Sequence, residues 1–128
     1  MPVASVNAYR ANQVSTISRG QLLLLAYDGI ARFLQEGRAA MLERRHEAQN
    51  AHLQKAQDLL VELLCALNPD AFPELAQNLE QLYTYMYQRL VQANVEDNIA
   101  MLDEVSAMIG DLRETWAEAE RQLRVMEG

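Results

Sequence analysis

The sequence predicts an all-α protein: an antiparallel, up-down four-helix bundle preceded by an N-terminal arm or short extra helix. Apolar residues recur at spacings of three and four over four long stretches, the period of an amphipathic helix. No segment alternates with the period of two that marks a half-buried strand. The stretches are joined by short polar connections, which favour antiparallel neighbours. Five glycines and three prolines are too few for a turn-rich β-protein.

Residues 1–17 read as an arm, and residues 18–128 as one bundle. The arm contains no acid, and Val3, Val6 and Tyr9 give it one weak helical face. The first long helix should start near Ser18, whose hydroxyl can accept from a free amide in the first turn, and run to about Leu42. Its apolar stripe is Leu22, Ala26, Gly29, Phe33, Gly37 and Ala40, widened by Leu23, Ile30, Leu34 and Met41. Asp28-Gly29 is ordinarily a turn signal. Here the stripe keeps its phase through Ala26, Gly29 and Phe33, so the helix continues. Glycine costs about 1 kcal/mol of helix propensity relative to alanine. Gly29 is therefore expected on the buried side, against a closely packed helix or the arm, with Asp28 off the core and facing the arm.

The charged stretch Glu43–Glu47 breaks the pattern. A second helix covers roughly His46 to Leu67, with Ala48, His52, Ala56, Leu59, Leu60, Leu63, Leu64 and Leu67 as its stripe. Asn68-Pro69 and Pro73 end it. A third runs from about Pro73, harmless in a first turn, to Ala93. Its stripe is Leu75, Leu79, Leu82, Met86, Leu90 and Ala93. Residues 94–98 connect to a fourth helix, capped by Asp97 or Asn98 and reaching about Arg124. Its stripe is Ile99, Leu102, Val105, Ile109, Leu112, Trp116, Ala119 and Leu123.

At 128 residues, 50% hydrophobic and 23% charged, the composition is that of a soluble globular chain. The longest apolar run, Leu22 to Tyr27, is far short of a membrane span, which argues against stable membrane insertion. The N-terminus does not read as a secretory signal. A single cysteine precludes an intramolecular disulfide. The expected location is the cytoplasm. A net charge of −7 argues against nucleic acid as a partner. The charge is uneven: residues 1–57 carry seven basic and four acidic side chains, and residues 58–128 four basic and fourteen acidic. The second half therefore presents a solvated acidic face, or one that orients a partner or second copy.

No constellation supports catalysis. A di-iron bundle needs Glu-x-x-His on two helices, and only Glu43 to His46 provides one. His46 and His52 do not share a helical face and read as surface or edge residues. Cys65, among leucines, reads as core packing. Asp103-Glu104 and Glu118/Glu120 read as exposed faces. No catalytic, metal or cofactor residues are expected. Tyr83, Tyr85 and Tyr87 are more informative. Their spacing of two spreads them over about 200° of a helix. Tyr83 falls on or beside the stripe, and Tyr85 and Tyr87 flank it, where amphipathic aromatics serve as rim packing or partner contacts. The residues alone end at an acidic helical bundle that binds another protein.

Several motifs then coincide in order: NAYRANQV (7–14), STIS (15–18), YDGI (27–30), HLQKAQDLLVEL (52–63), LEQLYTYMYQRLVQAN (79–94) and LDEVSAMIGDLRETW (102–116). In this the chain resembles the FliS family of flagellin-specific cytoplasmic export chaperones over about residues 5 to 120. It departs at Thr16-Ile17-Ser18-Arg19, where the family has Thr-Ala-Ser-Pro, and in a turn at 68–75 without a glycine-rich loop. The resemblance implies a helical bundle that binds the C-terminal region of flagellin. It would block premature polymerisation and aid delivery to the type III export gate, without ATP, metal or other cofactor. It also implies that Val6 and Tyr9 cover part of the binding surface until the guest displaces them. Tyr83, Met86, Leu59 and Leu63 are the candidate contacts on the bundle. Ser18, Tyr27, Asp28 and Gly29 are its structural signature. The export gate and a second copy of the chain are further candidate partners. The alternative is an adaptor or structural bundle for another helical partner.

Overall fold

The computed structural model describes residues 19–127, so Val6, Tyr9 and Ser18 lie outside the described residues. Among those described are four α-helices and no strand: α1 (Arg19–Leu42), α2 (His46–Ala66), α3 (Pro73–Glu96) and α4 (Ile99–Glu127). The helices stand where the apolar period put them.

The connections follow from backbone chemistry. After α1, Arg44 takes a left-handed conformation with φ of 59°. This lets Arg44 N donate to Met41 O at 3.2 Å and Arg45 N to Ala40 O at 2.8 Å. Two carbonyls at the helix end are thereby satisfied. After α2, Asn68 Oδ1 accepts from Asp70 N at 3.1 Å, and Pro73 opens α3. The third connection is shorter than the expected 94–98. Nothing in Asn94–Glu96 stops a helix, and α3 ends only at Asp97, with φ of 52°. Asn98 then serves both neighbours. Its N–H donates to Ala93 O at 2.9 Å, and its Oδ1 accepts from Met101 N at 3.1 Å.

Each helix packs beside its two neighbours in a ring: α1 with α2, α2 with α3, α3 with α4, and α4 with α1. Two ion pairs record the antiparallel register of α1 and α4. Arg38 Nε lies 2.8 Å from Asp103 Oδ1, and Arg113 Nε lies 2.9 Å from Asp28 Oδ1. Ten residues back along α1 correspond to ten forward along α4.

The core is built from Tyr27, Ile30 and Leu34 on α1, Leu53 and Leu60 on α2, Tyr83, Met86 and Leu90 on α3, and Leu102, Val105 and Ile109 on α4. On α1, Ile30, Leu34, Gly37, Ala40 and Met41 are buried as expected, and the departure lies toward the start of the helix. Leu22 is 43% exposed and Tyr27 is fully buried. On α2, Ala56, Leu60 and Leu63 are buried as expected, while Gln49 and Leu53 are buried where Ala48 and His52 were expected. On α3, Leu75 and Leu82 are exposed, and Ala76 and Tyr83 are buried. The cause is that polar groups which find partners inside can take core positions. Cys65 is exposed, not core packing, because it lies on the outer side of α2. Glu120, expected on an exposed face, is buried beside Gly20 at the start of α1.

Of the two α1 glycines that face α2, Gly37 has the tighter contact. A methyl group there would sit 2.7 Å from Leu53 Cδ2. Gly29 is the looser site, 3.2 Å from Leu59 Cδ1 on the same construction. Its close neighbour is a side chain of α2.

Candidate functional site

An apolar groove opens at the end of the bundle where α1 begins, α2 ends and α3 begins. It encloses about 710 Å³. Leu22, Leu23 and Ala26 line it from α1, Leu59, Leu63 and Ala66 from α2, and Leu75, Ala76 and Leu79 from α3. The 68–72 turn contributes Ala71 and Phe72, the latter 68% exposed. Arg19 and Glu62 are the charged groups on its wall. Such a surface offers apolar contact with few polar groups to fix orientation, the general character of a binding groove.

The groove exists because four consecutive leucines, Leu22–Leu25, are more than one core-facing line can bury. A helix turns 100° per residue, so such a run wraps around it. Near Tyr27 the core takes one line. Toward the N-terminus the other leucines remain at the surface.

Tyr83 and Trp116 also line the groove, with Tyr27 next to them. The two phenol oxygens lie 2.6 Å apart across the bundle diagonal, joining α1 to α3, which are not ring neighbours. Tyr27 is 0% exposed and Tyr83 1%. Burial pushes both phenols above their ordinary value, because the charged form loses its water. At Tyr27 the bond to Tyr83 adds to the rise, and the Trp116 indole partly opposes it by donating to the oxygen. At Tyr83 the bond from Tyr27 opposes the rise.

The predicted site residues separate into three groups. Leu59, Leu63 and Tyr83 come together on the groove. Met86 does not: it is fully buried, one turn below Tyr83, and is core. In the signature, Tyr27 enters the core, Asp28 meets Arg113 of α4, and Gly29 meets α2. Three successive residues thus address three neighbours, as 100° steps require. Asp28 was expected to face the arm, and its partner among the described residues is Arg113. Leu22, Leu23, Leu75, Phe72 and Trp116 were not anticipated as groove residues. Their signal was apolar surplus beyond one stripe.

Away from the groove, Tyr85 donates to Glu104 Oε2 at 2.6 Å, and Arg89 Nε donates to Glu104 Oε1 at 2.6 Å. These bonds, that from Tyr85 foremost, hold the Glu104 carboxyl below its usual range. Tyr85 thereby ties α3 to α4. At the opposite end of the bundle, Gln49 is 2% exposed and donates to Asn94 Oδ1 at 2.9 Å and Asp97 Oδ1 at 2.8 Å. That cluster pins α2 to the end of α3. His46 is exposed, and His52 Nδ1 lies 3.0 Å from Glu36. No helix among the described residues is long and apolar enough to cross a membrane.

Comparison with known proteins adds an independent line. The family model described as flagellar protein FliS matches residues 2–123. The flagellar secretion chaperone FliS of Bacillus subtilis is 38% identical over 112 residues, covering 88% of this chain and 83% of the relative. FliSB of Pseudomonas aeruginosa, also a flagellar secretion chaperone, is 35% identical over 104 residues, covering 81% and 82%. FliS of Escherichia coli is 30% identical over 107 residues, covering 83% and 79%.

Proposed function

Because the chain belongs to the FliS family of flagellar secretion chaperones, we propose that it holds the C-terminal region of flagellin in the groove and keeps it from polymerising before export. The observation that carries this reading is a match over residues 2–123 in a chain whose bundle ends in an apolar groove. The physics is that of an amphipathic helix laid into a hydrophobic groove. Ordering a flexible guest costs roughly 2–5 kcal/mol of the gross interaction. A broad apolar surface offsets that cost, and Leu22, Phe72 and Leu75 provide it. The action is binding, not catalysis, and takes place in the cytoplasm. The loaded complex then delivers its guest to the type III export gate.

Residues 1–17 act as an arm distinct from the bundle of residues 18–128. The arm covers the groove through Val6 and Tyr9 and yields to the guest. Arg19, two residues beyond this segment, lines the groove and supports this.

Co-purification tests the proposal. The chain should retain intact flagellin and lose flagellin truncated by its last few dozen residues. Retention indifferent to that truncation refutes it. Deleting residues 2–10 should change the affinity measurably, and unchanged binding removes the arm from the mechanism.

A further inference from the structure

Two charges stand on the wall of the apolar groove, Arg19 and Glu62. They are opposite in sign, and both are exposed. Neither side chain meets an ion-pair or hydrogen-bond partner among the described residues. Arg19 is also the first residue of α1, where the helix dipole disfavours a cation. An acid would suit that position better, so the helix itself gives no reason for this arginine.

The packing of α1 against α2 sets the spacing of the two charges. Gly29 of α1 stands level with Leu59 of α2, its close neighbour. Arg19 lies ten residues from Gly29 toward the groove end of the bundle, and Glu62 lies three residues from Leu59 in the same direction. At about 1.5 Å per residue, the two are about 10 Å apart along the bundle axis. On a guest helix lying along that axis, this is about two turns, or about seven residues, which returns to the same face.

We infer that Arg19 and Glu62 set the direction and register of the flagellin segment, by pairing with an acid and a base of the guest about two turns apart. Apolar contacts alone let a helix slide by a turn or reverse. Two opposite charges do not, because reversal brings a base to Arg19 and an acid to Glu62, and like charges repel. Residues 1–17 contain no acid, so the arm has nothing to offer Arg19. An acid in the guest therefore favours the guest over the arm. The inference rests on the groove being the seat of flagellin, as proposed above.

Charge reversal tests it, by calorimetric titration of the full chain with a C-terminal flagellin fragment at low salt. Arg19→Glu combined with Glu62→Arg leaves the net charge at −7 and should weaken binding about tenfold. The loss should shrink at about 1 M salt, where exposed charges are screened. Arg44→Glu combined with Glu47→Arg makes the same exchange at the far end of the bundle and should bind within about twofold of the parent. Equal losses in the two double variants, or none in the first, overturn the inference.

The fragment supplies the reciprocal measurement. Exchanging one acid and one base of the fragment, about two turns apart, should restore affinity for the reversed chain and weaken it for the parent. If no such exchange does so, the inference fails. Should the reversed chain not fold, Arg19→Gln and Glu62→Gln take its place, each expected to cost about threefold at low salt. No loss from either overturns the inference. A parent chain that does not bind the fragment at all refutes the flagellin reading itself, a different outcome.

Discussion

Single residues carry most of the specificity of this bundle, and two glycines show how differently one residue type can act. At Gly37 an added methyl would stand 2.7 Å from the buried Leu53. Gly37→Ala should therefore destabilise by about 1–3 kcal/mol through overpacking. At Gly110 the same methyl meets nothing within 4 Å. Gly110→Ala should stabilise by about 0.5–1 kcal/mol, from helix propensity alone. Urea denaturation of the pair checks both signs, and a stable Gly37→Ala would disprove the close contact. The buried phenols predict an alkaline weakness. Tyr27 and Tyr83 are raised, so they stay protonated in the folded chain after the unfolded chain ionises. Their contribution is complete below pH ~10 and is lost as pH rises beyond it, by ~1.4 kcal/mol per pH unit for each such phenol. Urea midpoints taken from roughly pH 9 to 11 should fall less steeply for Tyr27→Phe than for the parent. Parallel slopes would mean that the phenols are not shielded. Residue chemistry of this kind was only half legible. The Gly29 contact could be foreseen from phase, but Gly37 depends on which α2 side chain arrives opposite it.

At the scale of elements, the sequence announces helices more clearly than their orientation. The four apolar periods, Asn68-Pro69 and the cap at Asn98 place the helices and their connections. Asn98→Ala should cost about 1 kcal/mol, because Met101 N loses its acceptor at the start of α4. A thermal unfolding series with Asn98→Asp as the conservative control would test this, since Asp caps equally well. Particular positions on α1, α2 and α3 were harder to read. Ranking positions by apolarity put Leu22, Leu75 and Leu82 inward and left Gln49 outward. Gln49 is buried because Asn94 and Asp97 meet it there, partners 45 and 48 residues away in sequence. On α4, where no polar residue enters the middle of the helix, Leu102, Val105 and Ile109 are buried as expected.

At the scale of the whole molecule, the groove was legible only as an excess of leucine and aromatic surface. Its location depends on the start of α1, the end of α2 and the start of α3 meeting at one end of the bundle, which no single stretch encodes. The ring of helices also determines where the described chain begins and stops. Gly20 lies against the Glu120 carboxylate, so the start of α1 and the last turns of α4 share one end of the bundle. The turn at Glu43–Arg45 sits at the other end, away from the groove. Linking residue 128 to residue 1 and opening the chain at Arg44 should therefore give a circular permutant that folds, as circular dichroism would report. A segment held at both ends has a higher effective concentration beside its seat than one held at a single end. If residues 1–17 compete with flagellin, the permutant should bind the guest more weakly than the same permutant with those residues exchanged for a Gly/Ser linker. Equal affinities would show that closing the chain leaves the competition unchanged. Unequal affinities would make the length of the tether joining the last turns of α4 to the start of α1 an adjustable setting for guest affinity.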